Sequence, residues 1–179
     1  MGGIITKDQY EDKILNGPYF GVPGNNPNEQ VLIHRMPFGK VGNPEIFYKA
    51  LDLEEVLNEG KPIVVIFYPG KDECNSTGLV ATNKKLRRKN HEWLVKNVNS
   101  KDGYGPVYLY KNPSGLNKYQ GIMTHIPDPG RLFEQTFFKF QYPCGSFVVM
   151  DPSGNYHAIL GEYPNSQIIE ALKKLEKVK

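Results

Sequence analysis

Cys74 and Cys144 are the two cysteines of a 179-residue chain. Two are too few for a disulfide framework. They read either as one redox pair or as two buried thiols in a reducing compartment. Cys74 precedes a helical pattern, and amides at a helix start stabilise an anion. They can draw a thiol well below its usual pKa of about 8.5. Asp72 and Glu73 stand beside it and oppose the thiolate. A reactive thiolate and an inert cysteine are therefore both open readings. Cys144 by itself reads as a small buried apolar residue.

The remaining chemistry-bearing residues are less patterned. His34, His91, His125 and His157 are scattered without ligand spacing, so no metal site is expected. No P-loop, dinucleotide glycine pattern or Ser/His/Asp arrangement is present, and no cofactor is expected. Asn75-Ser76-Thr77 matches a glycosylation sequon, but no signal-peptide pattern precedes it. Lys84, Lys85, Arg87, Arg88 and Lys89 form a dense basic run. It reads as a solvated helix face with Leu86 inward, or as a contact for acidic lipid, RNA or an acidic protein. Met1-Gly2-Gly3-Ile4-Ile5-Thr6 fits the N-myristoylation pattern at Gly2. One acyl chain holds a membrane only marginally, and a basic patch supplies a second signal.

Composition narrows the classes. The chain is 39% hydrophobic and 23% charged, ordinary globular usage that excludes a wholly disordered protein. Eighteen Gly and 14 Pro demand many turns. The net charge of +3 does not by itself mark a nucleic-acid binder. Apolar runs such as Ile63 to Tyr68 are too short to span a bilayer. The expected location is inside the cell, in the cytoplasm or peripheral on a membrane surface.

The elements that must position these residues follow from periodicity. Residues 1–45 read as an irregular arm. Gly17-Pro18, Gly21 and the run from Pro23 to Asn28 are dense in turn formers, though Val31 to His34 suits a short strand. Residues 46–179 read as one domain. Asp52 and Glu55 resemble a capping box, with Leu53, Val56 and Leu57 as the helix stripe and Gly60 as its stop. Ile63 to Tyr68 is a continuous β-branched run, suited to a strand buried on both faces. Leu79, Leu86, Trp93 and Leu94 repeat at helical spacing after Cys74. Gly105 to Tyr110 reads as a strand and residues 116–127 as irregular. Asp128-Pro129 opens a helix lined by Leu132, Phe133, Thr136, Phe137 and Phe140. Phe138 falls off that inward face and could mark a partner surface. Ser146 to Met150 is a third strand, Asp151-Pro152-Ser153-Gly154 a turn, and Tyr156 to Gly161 the returning strand. Asn165 caps a final helix with Ile168, Ile169, Leu172 and Leu175 on one side.

Strand, helix, strand, helix, strand, hairpin strand, helix resembles the thioredoxin fold. Ile63 to Pro69, a short loop and Cys74 at a helix start resemble that superfamily's first core strand and active-site cysteine. Phe67-Tyr68-Pro69 is most similar to peroxiredoxins. Gly145 to Gly154 resembles the late strand and hairpin shared by peroxiredoxins and thioredoxin-like reductases. The resemblance covers about residues 50–179. It implies an α/β fold with a central mixed sheet and helices on both faces.

The departures bear on activity. Cys74-Asn75-Ser76-Thr77 places a hydroxyl, that of Thr77, where a thioredoxin has its second cysteine. The cis-proline position falls on Gly145. Lys71 and Cys144 stand where a peroxiredoxin has Thr and Arg, which argues against a peroxidase. In the resembled fold, the helix-start cysteine faces the loop before the late strand, so Cys74 and Cys144 become neighbours. The first expectation is thus a thiol–disulfide oxidoreductase acting on a disulfide-bearing protein. Cys74 is its nucleophile, Cys144 its resolving thiol, and Thr77 an accessory hydroxyl. The second is a non-catalytic structural or assembly subunit that binds a protein partner through its arm and basic helix.

Overall fold

The computed structural model describes residues 3–77, 83–140 and 142–177. The chain divides into two compact units, residues 1–37 and 38–179. The architecture is α/β. No helix among the described residues is long and apolar enough to cross a membrane.

The first unit holds one helix and one hairpin. Helix α1 (Lys7–Asn16) starts at a capping box: Thr6 accepts from the Gln9 amide, and the Gln9 side chain accepts from the Thr6 amide. Strands β1 (Tyr19–Pro23) and β2 (Gln30–His34) pair antiparallel. Gly21 makes room for the Tyr10 ring, because a side chain on it would force the Tyr10 hydroxyl aside. The expectation of an irregular arm is thus corrected. The turn formers that interrupt any long period act as punctuation. Gly17-Pro18 ends the helix, and residues 24–29 form the hairpin connection.

In the second unit, six described strands form one mixed sheet of order β3-β8-β7-β4-β5-β6. They are β3 (Phe38–Lys40), β4 (Ile63–Tyr68), β5 (Tyr104–Tyr110), β6 (His125–Pro127), β7 (Ser146–Met150) and β8 (Asn155–Ile159). Strand β4 is central, parallel to β5 and antiparallel to β7. Its alternate side chains feed two cores. Val64, with Phe147 and Val149, packs against α5 (Lys84–Asn99) through Leu94 and Val98. The same cluster takes in α7 (Ser166–Glu176) through Ile168, Leu172 and Leu175. Phe67 stacks on Phe138 at 4.7 Å, and Phe47 of α2 (Glu45–Ala50) meets Phe133 of α6 (Leu132–Phe137) at 5.2 Å. Because β3 pairs with β8, this unit begins at residue 38 rather than 46.

Several local expectations change. Asp52 does not cap α3 (Glu54–Asn58); Leu53 occupies the cap position, and Asp52 takes a left-handed turn conformation between α2 and α3. Asp128 does cap α6, but from beyond a Pro-led 3-10 turn: its carboxylate accepts from the amides of Phe133 at 3.1 Å and Glu134 at 2.8 Å. Helix α6 ends at Phe137, so the backbone turns at Phe138 and reverses the expected facing. Phe138 is buried and Phe140 is exposed. Asn165 makes no capping bond, and its amide donates to the Asn90 carbonyl instead. Trp93 is exposed on α5, while Arg87, Leu94 and Val98 face inward. Leu79 lies outside the described residues.

The Phe67–Phe138 stack leads to a first prediction. Phe138→Ala should lower unfolding free energy by about 3–5 kcal/mol, the usual cost of deleting a buried aromatic. Urea denaturation measures it. A loss below about 1 kcal/mol would return Phe138 to the surface role.

Candidate functional site

The site grows from the end of the central strand. After β4, Pro69 and Gly70 turn the chain, and α4 (Glu73–Ser76) follows. Asp72 is its N-cap. One carboxylate oxygen accepts from the Asn75 amide at 2.6 Å, and the Asn75 side chain closes the box on the Asp72 amide at 3.2 Å. Cys74 therefore sits on a separate four-residue helix, not at the start of the long one. So short an element adds little macrodipole to stabilise a thiolate.

The second cysteine arrives on the loop before β7. Cys144 adopts φ +66°, a left-handed conformation uncommon for non-glycine residues. Its backbone is gripped from the α4 side. The second Asp72 oxygen accepts from the Cys144 amide at 2.9 Å, and the Asn75 side-chain amide donates to the Cys144 carbonyl at 3.3 Å. The same Asn75 nitrogen donates to Gly70 at 2.7 Å. Gly145 follows at φ +157°, where an added Cβ would stand 3.1 Å from the Phe67 carbonyl oxygen. This geometry places Cys74 and Cys144 in a disulfide, with Cα atoms 4.9 Å apart and a sequence separation of 70. That spacing lies inside the usual range of about 4.4–6.8 Å. Both cysteines are half-buried, and no described cysteine is free.

A cavity of about 1050 Å³ opens beside the pair, with Tyr68, Trp93, Tyr108, Tyr119, Met123 and His125 on its walls. The Tyr68 hydroxyl donates to the Ser114 carbonyl at 2.8 Å, and burial pushes its pKa up to about 12. Tyr108 sits 2.8 Å from Nδ1 of His91. The Lys118 ammonium donates to the Asn75 carbonyl and lies over the Tyr119 ring at 5.1 Å. Burial first, then Arg87, lowers the Lys118 pKa. Burial first, then Lys118, pushes His125 down to about 4. The walls are thus largely aromatic, with Glu162 also on them and the Lys118 ammonium held against the cysteine helix.

A third group joins the cysteines. The Glu162 carboxylate follows β8, and one of its oxygens lies with both sulfur atoms inside a cluster of mutual distances within 4.8 Å. The Gly161 amide donates to the buried Ser146 hydroxyl at 3.0 Å, which ties this loop to the start of β7. Nothing in the local sequence marks Glu162, because its approach to the cysteines depends on strand pairing. Asp72 appeared in the sequence only as an opposing charge. Its cap signal, three residues before Asn75, was available.

The other candidate residues divide. Thr77 lines the same cavity, but its hydroxyl donates to the Glu73 carbonyl at 2.8 Å. Arg87 is buried and donates to the Lys118 carbonyl at 2.8 Å. It therefore leaves the proposed anionic-surface contact: the basic run crosses to the inner face of α5 at this position. Arg88 is exposed, and its guanidinium donates to Gly121 at 3.2 Å; Lys84, Lys85 and Lys89 are exposed. Gly2 lies outside the described residues. No protein-family model matches the chain, and no curated protein sequence matches it.

His125 carries a pH prediction. Its folded pKa of about 4 lies below the unfolded value of 6.5. The unfolded chain therefore binds more protons between those values, and stability is lost as pH falls through that window. The loss should approach the order of 3 kcal/mol near pH 4. Thermal melts from pH 7 to pH 4 should show it, and His125→Gln should flatten the slope. An unchanged slope in that variant would place the titrating group elsewhere.

Proposed function

We propose that residues 38–179 form a thioredoxin-like domain and that the chain is a thiol–disulfide oxidoreductase. Cys74 is the nucleophile and Cys144 the resolving thiol. The observation that carries this reading is the Cys74–Cys144 disulfide at the end of the central strand and beside a cavity. The order of strands and helices from β4 to α7 also supports it, since apart from the added edge strand β6 it follows the order of the resembled fold. The resolving thiol here comes from the loop before β7, in place of the missing second cysteine after Cys74.

The chemistry runs from the reduced pair. The Cys74 thiolate attacks one sulfur of a substrate disulfide, and the other substrate sulfur leaves as a thiolate that takes up a proton. A mixed disulfide now joins Cys74 to the substrate. Cys144 loses its proton to solvent, and its thiolate attacks Cys74 Sγ. The remaining substrate sulfur leaves, and the Cys74–Cys144 bond forms. Two electrons have passed from the protein to the substrate. The same steps reversed oxidise a substrate dithiol. Peroxidase chemistry is not included, because Lys71 and Cys144 stand at the positions of the groups it uses.

One observation favours the non-catalytic reading. The α4 cap is already filled by Asp72, and the helix is a single turn, so little is arranged to stabilise a Cys74 thiolate. The disulfide would then serve as a staple, worth about 4 kcal/mol for a loop of this length in the chain-entropy model. Residues 1–37 and the exposed lysines of α5 would provide partner contacts, with acylation at Gly2 as a membrane contact.

The two readings separate in one experiment. Reduced full-length protein is mixed with an aromatic disulfide, and thiolate release is followed. The oxidoreductase reading predicts rapid release that Cys74→Ser abolishes. Cys144→Ser should halt at a mixed disulfide visible by mass spectrometry. Release at the native rate from Cys74→Ser sinks this reading. An inert native protein whose melting point drops in both variants supports the staple.

A further inference from the structure

We propose that the reduced site binds a divalent transition-metal cation of the zinc class, with Cys74, Cys144 and Glu162 as its three protein ligands. The inference does not rest on the oxidoreductase reading; it needs only that the disulfide can be reduced.

The three donors come from three different elements. Cys74 lies on α4, Cys144 on the loop before β7 and Glu162 on the loop after β8. Their ligand atoms nevertheless lie within 4.8 Å of one another. A tetrahedral zinc with sulfur at about 2.3 Å and oxygen at about 2.0–2.2 Å needs sulfur atoms about 3.8 Å apart. Breaking the sulfur–sulfur bond and rotating the side chains opens the pair in that direction. No backbone rearrangement is demanded by Cα atoms 4.9 Å apart.

Bonds other than the disulfide also hold the segments that carry the ligands. Asp72 and Asn75 grip the Cys144 amide and carbonyl from the Cys74 helix. Ser146 holds the Gly161 amide beside Glu162. Tyr163, next to Glu162, packs edge-on to Phe147 of β7 at 4.7 Å. A site whose ligands are placed before the metal arrives loses less entropy on binding.

The donor set selects the metal. Two thiolates and one carboxylate suit zinc or its spectroscopic surrogate cobalt, not the hard cations magnesium and calcium. The adjoining cavity, also lined by Cys74, Cys144 and Glu162, leaves the fourth position to water. Binding releases one proton from each thiol. Oxidation of the bound pair by a disulfide transfers two electrons from the thiolates to that disulfide. It forms the Cys74–Cys144 bond and frees the cation, so metal and disulfide exclude each other.

The test uses full-length protein, reduced with a non-chelating phosphine under nitrogen and titrated with cobalt(II). Visible ligand-field bands and a near-ultraviolet thiolate-to-cobalt band should appear at one equivalent. Zinc should displace them, and the oxidised protein should show neither. Cys74→Ser and Cys144→Ser should each lose the charge-transfer intensity of one thiolate. Glu162→Gln, an exposed and conservative change, should weaken binding by at least the roughly 10–100-fold that loss of an outer-shell partner costs. Reduced protein without cobalt bands overturns the proposal. So does a Glu162→Gln variant of native affinity, since two cysteines would then be the whole site. Disulfide exchange measured on the same samples keeps the two readings apart, because either property can fail while the other persists.

Discussion

The site depends on one carboxylate. Asp72 accepts two backbone amides at once, that of Asn75 at 2.6 Å and that of Cys144 at 2.9 Å. The first bond starts the helix that carries Cys74. The second fixes the loop that carries Cys144. Hydrogen bonds to a charged group contribute about 1.5–3 kcal/mol each. The left-handed conformation of Cys144 costs about 1–2 kcal/mol. The clamp therefore outweighs the conformational cost and holds Cys144 facing Cys74 with or without the covalent bond.

The sheet supplies the frame for that clamp. β4 is buried at every position but the half-buried Ile66 and sits between a parallel and an antiparallel neighbour. Its end therefore lies next to the start of β7, which is where the two cysteine loops begin. The hairpin from β7 to β8 returns the chain to the same edge, bringing Glu162 with it. The Asp151 carboxylate accepts from the Asn155 amide at 2.9 Å, and Gly154 takes φ +87° in the turn. Strand order thus brings three chemically useful side chains to one end of the sheet, from positions up to 88 residues apart, counting from Cys74 to Glu162, and the clamp sets the cysteines facing each other.

Much of this frame is written in local sequence. The β-branched run from Ile63 to Tyr68, the Asp151 to Gly154 turn and the stripe of α7 each follow from a single period or turn rule. Most of the element order from β4 to α7 is legible because these signals are short-range, but β6 (His125–Pro127) falls in the stretch 116–127 that reads as irregular. The first unit is hard to read from its sequence because its helix is brief and followed at once by turn formers, although Thr6 and Gln9 spell its cap. Phe138 and Arg87 are buried against the local pattern for a different reason. Their burial is set by where α6 stops and by which turn packs on α5, and neither is encoded nearby. At the site, the two cysteines were visible as a candidate pair. Glu162 and the clamping role of Asp72 and Asn75 were not, since each depends on contacts across the sheet.

The central claim is that Asp72 holds the two thiols together. It can be measured as the equilibrium between the Cys74–Cys144 dithiol and its disulfide in glutathione buffers, for native protein and for Asp72→Ala. Circular dichroism confirms that both are folded. Loss of one charge-assisted bond to Cys144 should lower the tendency to form the disulfide by about 10–100-fold. An equilibrium unchanged in Asp72→Ala would mean that the carboxylate does not position Cys144, and the account of the site would fail at its first step.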